Sequence, residues 1–395
     1  MTSFLWYNIM NEESEGITMF NQQDLRKNEC KLDGRFRRQG YDWWWHSFTA
    51  ENEETGEEKA FFIEYFLCNP DLAEEKPVLG QAIENKQKGK KPSYLMIKAG
   101  CWGEEHVQLH RFIPWKEVQL HETWPYSIQT KDCYASENKI TGCVIRSKED
   151  VVDFPEYMSD AGRMSWELTI DKQVAFNVGY GTSELFCKLK AFEMYWHAEG
   201  MKSKYSGTVI LNGIKYTVKP ETSYGYADKN WGCNFTSPWI WLSSNHLVSR
   251  ISGKKLENSV FDIGGGRPKV FGIPLERQLL GAFWYEGKEY EFNFSKFWMG
   301  TKTKFDCKET KDEIIWRIKQ ENHVAMMKTE IRCKKKDMLL VNYESPDGMK
   351  RHNRLWNGGN GVGRVKLYEK VKGLYLLVDD MDVYHTGCEY GEYDR

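Results

Sequence analysis

Tyr224-Gly225-Tyr226-Ala227-Asp228-Lys229-Asn230-Trp231-Gly232, followed by Ser237-Pro238-Trp239-Ile240-Trp241-Leu242, decides the reading of this chain. In a strand, successive side chains face opposite sides. Tyr224, Tyr226, Asp228 and Asn230 then share one face, and Lys229 and Trp231 share the other. Lys229 therefore cannot readily neutralise Asp228 from the adjacent position. If the Asp228 face is apolar, its carboxyl is desolvated, holds its proton to higher pH, and is able to donate it. The competing reading is an aspartate at a strand end, bonded to backbone amides of a turn.

Strand signals extend in both directions from this stretch. Asn212-Gly213 between Thr208–Leu211 and Lys215–Val218 marks a hairpin that delivers the chain into it. Upstream, Trp43–Phe48 and Lys59–Leu67 flank Thr55-Gly56, and short strands follow at 93–98, 107–112, 133–135, 139–145 and 164–170. Trp43 and Trp45 alternate with Trp44 and His46, so that strand is aromatic on both faces. Residues 71–92, rich in Lys and Glu, read as a mobile insertion loop, residues 1–38 as an irregular lead-in, and 184–193 as a short helix or a strand entry. After Trp241 the strand pattern restarts at 259–263, 279–284, 288–292, 313–318, 323–333 and 365–369. Gly264-Gly265-Gly266 and Asn357–Gly363 read as turns between strands; neither carries a phosphate-binding ending. The expected architecture is all-β, with units 1–243 and 244–395.

Composition bounds the function. The chain has 395 residues, a formal charge of −2, and 16 Trp, 21 Tyr and 20 Phe. The charge gives no basic field for nucleic acid. The aromatic excess suits large β cores, and it also suits apolar ligand pockets. The ten cysteines are scattered, with no CxxC and no zinc spacing. No transmembrane segment and no secretory signal is recognisable, so reduced thiols in the cytoplasm are the economical expectation. No metal or cofactor motif is found. His197, between Glu193, Tyr195 and Glu199 on one strand face, is a candidate proton relay or simply a histidine on a polar face; as a lone histidine beside two acids it is weak metal evidence.

The central stretch, with Trp239-Ile240-Trp241, resembles the signature of the tocopherol cyclase family, whose wider group includes carotenoid hydratases and other lipocalin-like two-barrel proteins. Gly40–Trp45, Trp196–Gly200, Tyr205-Ser206-Gly207, Gly281–Phe292, Gly363–Tyr368 and Gly387–Gly391 resemble further family segments in the same order. The resemblance implies two tandem lipocalin-like β-barrels with an apolar pocket near their junction, and cofactor-free acid chemistry on a double bond of a hydrophobic prenyl, polyene or fatty-acyl lipid, of cyclase or hydratase type. A possible peripheral membrane contact goes with such a substrate. On this resemblance Asp228 is the proton donor, with Tyr226 and His197 as catalytic partners. Trp43, Trp45, Trp196, Tyr224, Trp231, Trp239 and Trp241 are substrate-binding candidates. The plant-type cyclases carry Glu at the Asp228 position and Ser-rich residues at Tyr224-Gly225-Tyr226, which points to a different substrate. A double-bond isomerase using His197 as base, and a non-catalytic lipid-binding barrel, are the alternatives.

Overall fold

A computed structural model describes residues 27–176 and 189–392. The expected lead-in up to residue 26 and residues 184–188 of the 184–193 segment lie outside the described residues. The chain is all-β. A twelve-stranded antiparallel sheet runs in sequence from Tyr41–Asn52 to Gly225–Gly232, and an eleven-stranded one from Trp239–Ser244 to Leu374–Gly391. The described helices are short, such as Ile83–Gln87 and Lys148–Asp153, the latter begun by a Ser147/Asp150 capping box. No described helix is long and apolar enough to cross a membrane. The nine cysteines among the described residues form no disulfide.

Both sheets curl into barrel-like layers whose edges are tied by side chains as well as ladders. In the first, Arg146 Nε donates to His110 O at 2.6 Å, and His110 N donates to Ser159 Oγ at 2.9 Å, across the Val107–Ile113 edge. In the second, Gln320 Nε2 donates to Leu279 O at 3.0 Å, and Asn322 Nδ2 donates to Glu291 O at 2.8 Å. The Asn212-Gly213 hairpin forms as read, both residues taking positive φ (51° and 88°) between paired Leu211 and Ile214.

Alternation places the cores. Ile240 and Leu242 enter the interior of the second sheet with Phe261, Ile263, Phe283 and Trp316. Trp239 and Trp241, their neighbours in sequence, point the other way. There they join Trp45, Phe62, Phe66 and Trp196 of the first sheet in one continuous core. The junction between the sheets is thus a packed aromatic layer. The change of sheet falls between Gly232 and Trp239, because Trp239–Ser244 pairs with Val260–Gly266 and Leu374–Gly391.

Two further readings differ from the structure. Gly264-Gly265-Gly266 and Asn357–Gly363 are not joints: they lie inside the strands Val260–Gly266 and Arg351–Val371. Two of these glycines make room for indoles. A Cβ on Gly264 would stand 2.8 Å from the Trp196 ring, and one on Gly359 2.3 Å from that of Trp102. Residues 71–92 do form a loop, around the short helix Ile83–Gln87, but it is tied down. Gly80 N and Gln81 N donate to the buried Glu344 carboxylate at 3.1 and 2.7 Å, strapping this segment of the first unit to the second sheet.

Candidate functional site

Ladder register assembles the site. Trp45 lies directly opposite Asp228, Trp43 opposite Asn230, and Trp196 also opposite Asn230 on the other flank. Directly paired residues share a face. Trp43, Trp45, Trp196, Asp228 and Asn230 therefore project together into the junction, and Tyr226 projects with them by period-two alternation. From the second sheet, Trp239 and Trp241 come to meet them, along with Asp262, which pairs with Ser243 beside Trp241.

The hydrogen bonds around Asp228 form one connected group. Trp196 Nε1 donates to Asp228 Oδ2 at 2.7 Å, and the Tyr226 hydroxyl lies 3.2 Å from the same oxygen. Tyr226 Oη is also 3.1 Å from Asp262 Oδ2. Trp241 Nε1 donates toward Tyr226 Oη at 3.2 Å and Asp262 Oδ1 at 3.1 Å. Alongside, Trp239 Nε1 and Asn357 Nδ2 each donate to the Glu389 carboxyl at 2.6 Å, and Trp102 Nε1 donates to Asn357 Oδ1 at 2.7 Å. Deeper still, Glu64 forms an ion pair with Lys98 Nζ and accepts from the Tyr343 hydroxyl, each at 3.0 Å.

Asp228 is 8 % exposed and makes no ion pair among the described residues. Burial holds its carboxyl well above the usual carboxylate range. The Trp196 and Tyr226 hydrogen bonds pull the other way, while the negative charges of Glu389 and Glu199 add to the rise. Asp262, fully buried, is likewise raised, by burial first and by the charge of Asp228 second. Burial pushes Glu389 up to about 7. Among the described residues, Asp228 Oδ1, Asn230 Nδ2, Trp43 Nε1 and Trp45 Nε1 are buried on this face without a hydrogen-bond partner. Unpaired polar atoms are costly in a closed core, and their convergence in one place marks a polar constellation larger than the fold requires.

Lys229 does point away from Asp228. It forms a fully buried ion pair with Asp42 inside the first sheet, 3.6 Å over the Trp44 ring. His197 stands opposite Lys229 and so shares that inner face, not the Asp228 face. Burial and nearby lysines hold it neutral. It is not brought to Asp228. Neither is Trp231, which stacks on Tyr195 at 5.4 Å. Tyr224 precedes the strand with φ of 43° and lies against His246 and His385, 4.3 Å from each ring. That backbone turn breaks the alternation that had grouped it with Tyr226.

Asp262, Glu389, Asn357 and Trp102 are the members that sequence reasoning missed. Asp262 did carry a signal: a lone acid within the apolar strand Val260-Phe261-Asp262-Ile263. Among the described residues no group of three or more His, Cys, Asp or Glu is arranged to hold a metal ion. Two open clefts, of about 600 and 590 Å³, are lined by residues such as Lys304, Arg317 and Arg364, and by Arg37, Asp71 and Glu122; neither reaches Asp228.

The chain matches the family model described as "Tocopherol cyclase-like" over residues 97–391. No curated protein matches it. Among solved structures it is similar to kievitone hydratase from Nectria haematococca, at 11% identity over 96% of this chain and 94% of that one, with a TM-score of 0.45. It is similar to CghA with Sch210972, at 10% identity over 91% and 90%, also with a TM-score of 0.45. A Nitrosomonas europaea protein described as AttH gives 11% identity over 89% and 92%, again with a TM-score of 0.45.

Proposed function

The chain belongs to the tocopherol cyclase-like family, and from that premise we propose that it is a cofactor-independent enzyme that protonates a double bond of a hydrophobic prenyl or polyene lipid, with Asp228 as the acid. One observation carries the reading. Asp228 is a buried carboxyl whose Oδ2 is held by Trp196 and Tyr226, while among the described residues it has no cation beside it and Oδ1 has no partner. With its proton on Oδ1, the group is an acid fixed on one side and free on the other. The O–H bond breaks, the alkene π pair forms the new C–H bond, and a tertiary cation remains. The faces of Trp45, Trp196 and Trp241 suit such a cation. A phenol oxygen of the same molecule captures it to close a ring, or water captures it; the proton that oxygen loses restores the acid.

Entry is assigned to the side of Trp43, the partly exposed member of the group. Its ring packs on Tyr343 at 5.3 Å and Tyr41 at 5.5 Å, while its Nε1 has no hydrogen-bond partner among the described residues. An isomerase that uses His197 as base is not favoured, since that ring lies on the other face of the sheet. The test is turnover against binding, with prenylated phenols of graded chain length. Asp228→Asn is expected to bind them like the wild type, because apolar burial supplies most of the affinity, and to lose roughly 10²–10⁴-fold in turnover. A wild type that binds these lipids and converts none is a carrier.

A further inference from the structure

Tyr226 stands between two carboxyl groups with one hydroxyl proton to offer. Its oxygen is 3.2 Å from Asp228 Oδ2 and 3.1 Å from Asp262 Oδ2. It can donate to only one of them. The other contact is a hydrogen bond only if that carboxyl carries a proton and donates it to the tyrosine oxygen. The indoles cannot fill this role, because each is itself a donor: Trp196 to Asp228, and Trp241 toward Tyr226 and Asp262 Oδ1. We propose that Asp228 and Asp262 share a proton through the Tyr226 hydroxyl, and that Asp262 holds it whenever Asp228 has given its own away.

The surroundings support the pairing. Neither carboxyl has an ion-pair partner among the described residues, and the two come from different sheets, Asp228 from Gly225–Gly232 and Asp262 from Val260–Gly266. The charged and titratable groups that act on Asp228 are Glu389, Glu199 and Tyr226; on Asp262 they are Asp228 and Tyr226. Tyr205 feels the Asp228 charge from the inner side of the sheet. No cation is among them, so two negative charges joined by one hydroxyl are strongly disfavoured, and the pair retains a proton. The exchange is balanced. The Asp262 O–H bond breaks as a new O–H forms on Tyr226, while the original Tyr226 proton moves to Asp228. Nothing is oxidised or reduced, and Tyr226 ends as it began. In turnover, which rests on the acid assignment above, the proton shared through Oδ2 stays with the pair on Asp262 while Asp228 is ionised, and Oδ1 is reloaded by the proton that the capturing oxygen releases.

The test needs no substrate. Infrared absorption of neutral carboxyl groups is followed against pH in protein carrying isotope-labelled aspartate, for the wild type, Asp262→Asn, Asp228→Asn and Tyr226→Phe. Differences between wild type and variant isolate this pair from other buried aspartates. The wild type is expected to show a neutral carboxyl of this pair at pH 7. Asp262→Asn removes the neighbouring charge, so the last Asp228 proton should leave at a pH lower by about one unit or more. Tyr226→Phe removes the one hydroxyl donor that the two carboxyls have between them, so the midpoint should rise. A variant that merely loosened the junction would let water in and lower the midpoint in both cases. Both carboxyls ionised in the wild type at pH 7, or an Asp228 midpoint unmoved in Asp262→Asn, overturns the proposal. The wild-type result alone decides if a variant fails to fold. A shared proton in a protein that converts no lipid would leave the pair standing and remove the enzyme.

Discussion

Replacing Glu389 by Gln should flatten the dependence of stability on pH. The carboxyl accepts from Trp239 and Asn357 at the junction, and burial raises it from 4.5 to about 7. A carboxyl raised in the folded state favours folding while it is protonated. Its contribution is complete below 4.5 and is lost as pH climbs through about 7. That gap, at about 1.36 kcal/mol per pH unit, makes the ionised group cost at most roughly 3 kcal/mol. Glu389 keeps part of its surface in contact with solvent, which brings the figure nearer 2 kcal/mol by screening. The amide cannot accept from both donors and so carries a fixed penalty of about 1–2 kcal/mol. That penalty is the same at every pH and cancels in the comparison. Urea unfolding of wild type and variant at pH 5 and pH 8 gives four stabilities. The drop from pH 5 to pH 8 should be smaller in the variant by about 2 kcal/mol. Equal drops would refute the reasoning, since the carboxyl would then titrate alike in both states.

Two other substitutions probe the frame around the site. Asp42→Asn leaves the Lys229 ammonium buried and uncompensated, and should cost about 3–5 kcal/mol in denaturant unfolding; the double variant Asp42→Leu, Lys229→Met should recover most of it. Gly264→Ala puts a methyl 2.8 Å from the Trp196 ring. It should cost about 1–3 kcal/mol and move Trp196 off Asp228, visible as a change in tryptophan fluorescence that an alanine at solvent-facing Gly253, with open space around it, does not produce beyond the cost of its own positive φ.

Much of the fold could be read from local pattern. Asn212-Gly213 set a hairpin, and period-two alternation set Tyr226 and Asp228 on one face and Lys229 on the other. The same rule, applied throughout, separates residues that had been grouped. Trp196 and His197 are neighbours in one strand, so only one can meet Asp228. Trp231 lies three positions after Asp228 and faces the opposite side. What the pattern could not supply is contact between sheets. Asp262 and Glu389 reach the site because two curled sheets pack face to face, and no periodicity within a strand records that pairing. The strand glycines misled for the same reason. Gly264 and Gly359 look like turn residues in isolation, and their purpose appears only when the indoles of Trp196 and Trp102 lie over them.

The central claim is that Asp228 delivers a proton to carbon. Its most direct measurement is the isotope content of the product formed in deuterated water from a prenylated phenol that the wild type converts. One solvent deuteron is expected on the product carbon with the wild type and almost none with Asp228→Asn, whose amide is nearly isosteric and cannot act as an acid near neutral pH. Full deuteron incorporation and undiminished turnover in Asp228→Asn would contradict it.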